Sequence, residues 1–449
     1  MDNRTEQVSV DSLAEEILDR VAAIDVGKDA GVVCMRTPHA NQPGKRVSVV
    51  WTVRSRTRMI LDLADRLASE GIERVVLEAT SDYWRPFYYL LEARGVPVWL
   101  VNARDVKNVP GRPKTDKLDS VWLAKLNERG MLRPSFVPPS EIRQLRDYTR
   151  LRSDLIGDRS RHTQRLEKLL EDSLIKLSSV ATDIMGVSGR AMLAALIAGE
   201  RDPQVLADLA KGRLRVKRVA LVEALTGRFD AHHGELAELL LGQIDGLTAQ
   251  IERLDERVEQ LIADLPAAQA PLQPDGDATP GAPQRYLAAV DRLDEITGVG
   301  QHAAQTIIAE VGLSMAIFPT AGHLVSWAKV CPRAIQSGAK SRSGKTGQGN
   351  RYLKAVLGEA AMAASRTNTF LGARYRRLVR RVGKAKALVA IARSILVIVW
   401  HLLADPTLRY TDLGAAFYDQ HLHTERRTRN HVRQLEALGY KVTLEPVAA

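Results

Sequence analysis

Four carboxylates have the types and positions that metal-dependent chemistry needs. Asp25 closes the apolar run VAAID, Glu78 closes ERVVLE, and Asp116 and Asp119 lie in KTDKLDSVWLAKL. Residues three apart on a helix share a face, so the last two can point together. Carboxylates at strand ends beside carboxylates on a helix can converge on divalent ions, and hard oxygen ligands suit Mg²⁺. A pair of such ions can hold both the attacking and the leaving oxygen of a phosphoryl transfer. Taken singly, each acid has a plainer reading: Asp25 as a turn residue, Asp116 as a charge at a helix start, Glu78 as a strand end. Taken together, they favour a site.

Two further stretches carry chemistry. LDEITGVGQHAAQTIIAEVG (293–312) reads as a helix–hairpin–helix element, with Gly298 and Gly300 placed for backbone amides to approach a phosphate. An ordinary helix hairpin with a tight turn fits the same residues, and the small side chains of Ala303, Ala304 and Ala309 suit close packing. CPRAIQSGAKSRSGKTGQGNRYLKAVL (331–357) sets Arg333, Lys340, Arg342, Lys345, Asn350, Arg351 and Lys354 among four glycines and three serines. Such a segment can hold phosphates. It also offers Ser337, Ser341 and Ser343 as nucleophiles, provided that they are activated and the charge is neutralised nearby. No histidine adjoins them, so an acid–metal site would have to help; the simpler reading is a flexible basic loop that binds nucleic acid.

The elements that must position these residues fall into three parts. Residues 1–139 give the order βββαβαβα, with strands over 21–25, 30–36, 47–53, 73–78 and 96–101, helices around 59–67 and 83–94, and a helix starting near Thr115. That order predicts an α/β domain with a mixed sheet. Residues 140–265 read as a long helical, coiled-coil-like region. Arg143, Arg146, Arg150, Arg152, Arg159, Arg161, Arg165 and Lys168 crowd its start; they form either a surface for an RNA backbone or a solvated charged face. Ile244, Leu247, Ile251, Leu254, Val258, Leu261 and Leu265 step by three and four, which fits an intramolecular helical hairpin and a dimer seam equally. Residues 266–284 hold five prolines and no aromatic, a linker composition, and 285–449 form a second, helical unit.

Composition narrows the class. The chain has 449 residues, with 64 Lys and Arg against 53 Asp and Glu, a net charge of +11. A balance of that sign favours a polyanionic partner without choosing among DNA, RNA and an acidic protein. Cys34 and Cys331 make neither a disulfide framework nor a zinc site, and two reduced thiols of a cytosolic protein are expected. The polar, acidic start is no signal peptide. The most apolar run, 387–404, carries Arg393, Ser394 and His401 and reads as a buried helix rather than a membrane span. His232–His233 and His421/His423 have no cysteine partner and read as surface or core histidines. The chain lacks G-x-x-x-x-G-K-[ST], so ATP is not expected. No Arg/His set surrounds a tyrosine, and Trp84 and Trp327 read as core.

These motifs together resemble the insertion sequence 110 family of transposases, over nearly the whole chain and in the family's domain order. The DEDD pattern falls on Asp25 in AAIDVGKD, Glu78 in VVLEATSDYW, and Asp116 and Asp119 in RPKTDKLDSVWLA. The C-terminal signature falls on ITGVGQHAAQTIIAEVG, FPTAGHLVSWAKVCPRAIQSG and GKTGQGNRYLKAVLGEAA. Lys354 departs from it mildly, standing where Arg is common. The resemblance implies a RuvC-like, RNase H-type N-terminal domain and a serine-bearing transposase domain in a bacterial protein of the cytoplasm and nucleoid. It implies a recombinase whose serine, by position Ser337, forms a transient phosphoserine link to DNA with help from the Mg²⁺-bound tetrad. It further implies guidance by a structured non-coding bridge RNA, and action as a homo-oligomer, dimer or tetramer, in which one subunit's serine completes another's acidic site.

Two other classes compete. A structure-selective RuvC-like nuclease would cut junctions by water attack, with Ser337 only touching phosphate. A non-catalytic nucleic-acid-binding protein would keep salt-sensitive binding after loss of all four acids.

Overall fold

The computed structural model describes residues 18–79, 81–102, 116–271, 287–332, 334–337, 340–344, 346–418 and 424–444. The chain divides into two compact units, Met1–Val137 and Pro138–Ala449.

The first unit is a five-stranded sheet with helices on both faces. Strands β1 (Val21–Val26), β2 (Ala30–Pro38) and β3 (Arg46–Arg54) form an antiparallel meander. Helix α1 (Thr57–Ser69) then returns the chain to β4 (Arg74–Glu78), and α2 (Trp84–Ala93) to β5 (Val98–Val101). β4 lies parallel to β1 and β5 parallel to β4, so the sheet order is β3-β2-β1-β4-β5. This is the mixed α/β sheet expected from the sequence. Its central strands are apolar on both sides because both faces are covered. Ile24, Val26, Val75 and Leu77 face α1 and α2 with Ile60, Leu63, Leu67, Phe87 and Leu91. Ala23, Cys34, Val76 and Val101 face the opposite way, onto Leu123, Ala124 and Leu126 of α3 (Asp116–Glu128).

The second unit is mostly helical. α4 (Ser140–Asp172) and α9 (Ala231–Ala263), each of 33 residues, pack along one another. They run antiparallel, because Arg152 reaches Asp255 while Arg159 reaches Thr248. Between them in sequence come α5 (Leu177–Val180), α6 (Val187–Ile197), α7 (Pro203–Asp208), a 3₁₀ turn and α8 (Arg218–Leu225), which share a core with the near halves of α4 and α9. Of the expected heptad set, Ile244, Ile251 and Val258 are buried, while Leu247, Leu254 and Leu261 are half-buried.

After residue 287 come α10 (Ala289–Asp294), α11 (Gln301–Val311), α12 (Ala321–Trp327), the hairpin β6 (Ala334–Ser337)–β7 (Lys340–Ser343), α13 (Arg351–Ser365), α14 (Phe370–Val382), α15 (Lys384–Ala404) and α16 (Thr424–Ala437). The β-hairpin is an addition to the helical last part expected from the sequence. Its strands have four residues each and no apolar alternation, so they carried no strand signal. α15 is long and apolar enough to cross a membrane. In this fold it packs against α10, α12, α13 and α14, burying Ile391, Ile395, Leu396 and Val399.

Candidate functional site

The register of the sheet brings the first two acids side by side. The parallel pairing of β1 and β4 runs from Val21↔Arg74 to Ile24↔Leu77, and Asp25 and Glu78 are the next residue on each strand. Alternation then sets both on the face of Ala23 and Val76, the face that α3 covers. Glu78 is buried and Asp25 half-buried.

α3 supplies the third and fourth acids, and its end far from them is pinned. Asn127 is wholly buried; its amide donates to the carbonyls of Ala22 and Arg74, both at 3.1 Å, and its Oδ1 accepts from Arg74 Nε at 2.8 Å. The Arg74 guanidinium stacks 3.8 Å from the Trp99 ring centre. Next to it, Glu128 accepts from Arg36 Nε of β2 at 2.6 Å and from Arg46 Nε of β3 at 3.1 Å. These anchors lie at the starts of β1 and β4, whereas Asp25 and Glu78 lie towards their ends. Eight helical residues from Asn127 back to Asp119 cover about 12 Å; three strand residues from Ala22 to Asp25 cover about 10 Å, and four from Arg74 to Glu78 about 13 Å. Asp119 is therefore carried to the level of Asp25 and Glu78, on the stripe that continues through Leu123 and Leu126. Asp116 stands one turn further on; its side chain lies outside the described residues. The donor set, carboxylate oxygens on one covered face, suits a divalent ion.

The serine-bearing segment is built by a different set of contacts. Ser337 ends β6 and pairs in register with Lys340; Ser341 pairs with Gln336 and Ser343 with Ala334. Ser337 thus stands at the closed end of the hairpin and Ser343 at its base. Arg342 lies on β7 opposite Ile335, and Arg333 and Lys345 lie outside the described residues. The glycine loop that follows is seated on the end of α12. Gly349 has φ +60° and a Cβ there would sit 2.6 Å from the Ala328 carbonyl oxygen, so glycine is required. Lys354 donates to the Gly347 carbonyl at 2.9 Å, which gives this departure from the family pattern a role in holding the loop.

Asn350 caps α13, its Oδ1 accepting from the amides of Tyr352 (3.0 Å) and Leu353 (3.1 Å). Its own amide donates to Glu310 on α11. Glu310 is fully buried and also takes Arg150 in a two-pronged pair at 2.7 and 2.9 Å and Arg146 at 3.3 Å. Burial works against the charge of Arg150, but the hydrogen bonds and charge of Glu310 outweigh it and raise its pKa. Arg152, also buried, bonds Asp255, Gln305 and Thr306. Three of the seven arginines read as a surface thus face inward, where they tie α4 to α11, α9 and, through Arg150 over the Tyr352 ring, α13. Arg159 reaches Thr248 at 3.4 Å, Arg161 pairs with Asp158, and Arg165 is exposed.

The two hairpin glycines differ. Gly298 has φ +88°, and a Cβ would sit 2.4 Å from the Ala360 carbonyl oxygen, so it serves the close approach of the hairpin to α13. Gly300 caps α11 and, with His302, Asp154, Arg351 and Tyr352, lines a cleft of about 820 Å³. Asp230, His232 and His233 bring three potential ligand atoms within 4.8 Å of one another. Asp230 and His233 are already engaged there as the capping box of α9. The sequence reading missed Asn127, Glu128 and Glu310; single polar residues inside helices leave no periodic signal.

A mixed sheet in this strand order, with acids at the ends of its adjacent central strands, is an α/β domain that presents paired carboxylates at one end of the sheet. Two family models place the chain further. One, for DEDD-type IS110 transposases, matches residues 22–175; the other, described as transposase IS116/IS110/IS902 family, matches residues 290–376. The chain belongs to the IS110 family of transposases, enzymes that act on DNA by phosphoryl transfer. Among solved structures, Thermus thermophilus RuvC is 15% identical with a TM-score of 0.21, over 26% of this chain and 99% of that chain. The same protein in complex with a Holliday junction substrate gives 15% and 0.20, over 26% of this chain and 100% of that chain. No curated protein matches the chain.

Proposed function

We propose that this transposase is an RNA-guided recombinase that cuts and rejoins DNA through a covalent link on Ser337. What supports the reading is the side-by-side position of Asp25 and Glu78 on adjacent strands, on the sheet face covered by the helix that carries Asp119 and is anchored through Asn127. Asp25, Glu78, Asp116 and Asp119 would hold Mg²⁺, which supplies charge neutralisation at the phosphate being transferred.

The Ser337 hydroxyl attacks phosphorus and displaces the 3′ or 5′ oxygen of the cut strand. Its proton passes to a carboxylate of the tetrad or to water, and the leaving oxygen takes one up. Reversal by a second strand's hydroxyl restores the serine and seals the new junction. The closed end of a short hairpin suits a nucleophile that must reach a phosphate, and it favours Ser337 over Ser341 and Ser343. Lys340, Arg342 and Arg351 offer cations for the strand being held, with Arg333 and Lys345 completing the set by sequence. Arg159, Arg161 and Arg165 remain candidates for guide RNA, whereas Arg146 and Arg150 support the site through Glu310. The chain works as a homo-oligomer, with one copy's Ser337 serving another copy's acids. Excision and strand exchange in cells test the reading: Ser337→Ala and Asp25→Ala each abolish both, and normal exchange by either variant contradicts it.

A further inference from the structure

Helix α14 carries five arginines in eight residues: Arg374, Arg376, Arg377, Arg380 and Arg381. Several arginines elsewhere in the same unit are matched: Arg150 with Glu310, Arg152 with Asp255, Arg190 with Asp245, Arg218 with Asp208, Arg409 with Glu295. Among the described residues, none of the five on α14 pairs with a carboxylate. They instead flank two adjoining hollows. Arg374, Arg377 and Arg381 with Tyr418 line one of about 310 Å³; Arg376, Arg377 and Arg380 with Ala415 and Tyr418 line one of about 580 Å³. Arg377 and Tyr418 belong to both, so the hollows form one groove along the helix.

The floor of the groove is fixed. Tyr418 stacks on Phe370 at 5.2 Å between ring centres, accepts from Arg374 Nη1 at 2.8 Å and lies under the Arg377 guanidinium at 5.0 Å. The Nε of Arg374 is buried with no hydrogen-bond partner among the described residues. From Arg374 to Arg381 the helix advances about 10 Å, within about one Debye length at 0.1 M salt. Like charges three and four apart on a helix oppose one another, so the arrangement is unfavourable until an anion joins it.

We propose that this groove binds the phosphodiester backbone of a nucleic acid strand. Guanidinium groups bind phosphate oxygens as two-pronged donors. An elongated groove with cations along its length fits successive phosphates better than a single one. None of the residues proposed for the acidic site or the serine hairpin lines the groove, so it contributes to holding the strand, and its readout is binding, not catalysis.

The test uses the full chain carrying Arg376→Gln, Arg377→Gln and Arg380→Gln together. All three are exposed, so the fold is expected to survive, as circular dichroism would confirm. The control variant, Lys211→Gln, Arg213→Gln and Arg253→Gln, removes the same charge from exposed sites elsewhere. Affinity for labelled duplex DNA and for labelled single-stranded RNA, and for labelled polyglutamate as a third ligand, is followed between about 50 and about 200 mM salt. The groove variant is expected to flatten the slope of log K against log salt by about 2–3 for the duplex or about 2 for the single strand, at roughly 0.9 and 0.7 per lost phosphate contact. A change with DNA alone, or with RNA alone, supports the proposal and names the strand. Slopes that match the control for both probes overturn it, as does a loss of affinity confined to polyglutamate, which would make the groove an acidic-peptide site.

Discussion

Asn127 decides where Asp119 stands. Its side chain serves two strand carbonyls and one guanidinium, all buried, and Asn127→Ala leaves them without those bonds. At about 1–3 kcal/mol for each orphaned group, eased by relaxation, a loss of about 2–4 kcal/mol is expected. The denaturant midpoint of the variant reads it, and a midpoint equal to the parent's would deny the anchor. Cys34 gives a second expectation on the same face. Burial pushes its thiol up to about 11, against the smaller downward pull of Arg36 and Lys125. Thiolate is then scarce at pH 8, and alkylation in the folded chain should reach Cys331 first, with Cys34 reacting only on unfolding; prompt labelling of Cys34 would contradict this burial. The strand-end positions of Asp25 and Glu78 were legible in the sequence because strand ends are local patterns. Asn127 was not, because its partners lie 53 and 105 residues away.

The helices α4, α11 and α13 meet through Glu310. Removing its carboxylate takes a fully buried counter-charge from Arg146 and Arg150, and breaking a buried ion pair costs about 3–5 kcal/mol. Glu310→Ala should therefore lower thermal stability sharply and loosen the cap of α13, which directly follows the serine segment; a melting point within a degree or so of the parent's would refute that role. The arginine run of α4 looked like a charged surface because the residue that claims it is 160 positions later. The heptad spacing in α9 was visible, but spacing alone does not say which helix fills the seam, and α4 covers Ile244, Ile251 and Val258 from within the chain. Gly298 shows the same limit. G-V-G announces a tight turn, while the backbone of α13 against its Cα is a tertiary fact.

Across the molecule, acid should act on the last unit through Glu295. Hydrogen bonds from Arg409 hold its carboxyl below the usual carboxylate range, against a smaller cost of burial. Because the folded pKa lies below the unfolded one, its contribution is full above about pH 4.3 and is lost as pH falls through the folded value. Glu295→Gln should flatten the stability profile below that pH and leave its shape above it unchanged. The net charge of +11 predicts binding to DNA that weakens steeply with salt. The chain order of strands and helices in the first unit and the helical character of the remainder followed from hydrophobic periodicity; the order of the strands in the sheet did not, because it depends on pairing between distant segments. The central claim is the covalent step, and a search for a serine adduct tests it most directly. The purified chain, Mg²⁺, DNA of its element's ends and RNA transcribed from the flank are combined and digested, and the peptides are weighed by mass spectrometry. A nucleotide on Ser337, absent from Asp25→Ala, is the predicted result. DNA cut with no adduct on any serine would contradict the claim and assign the chemistry to water at the acidic site.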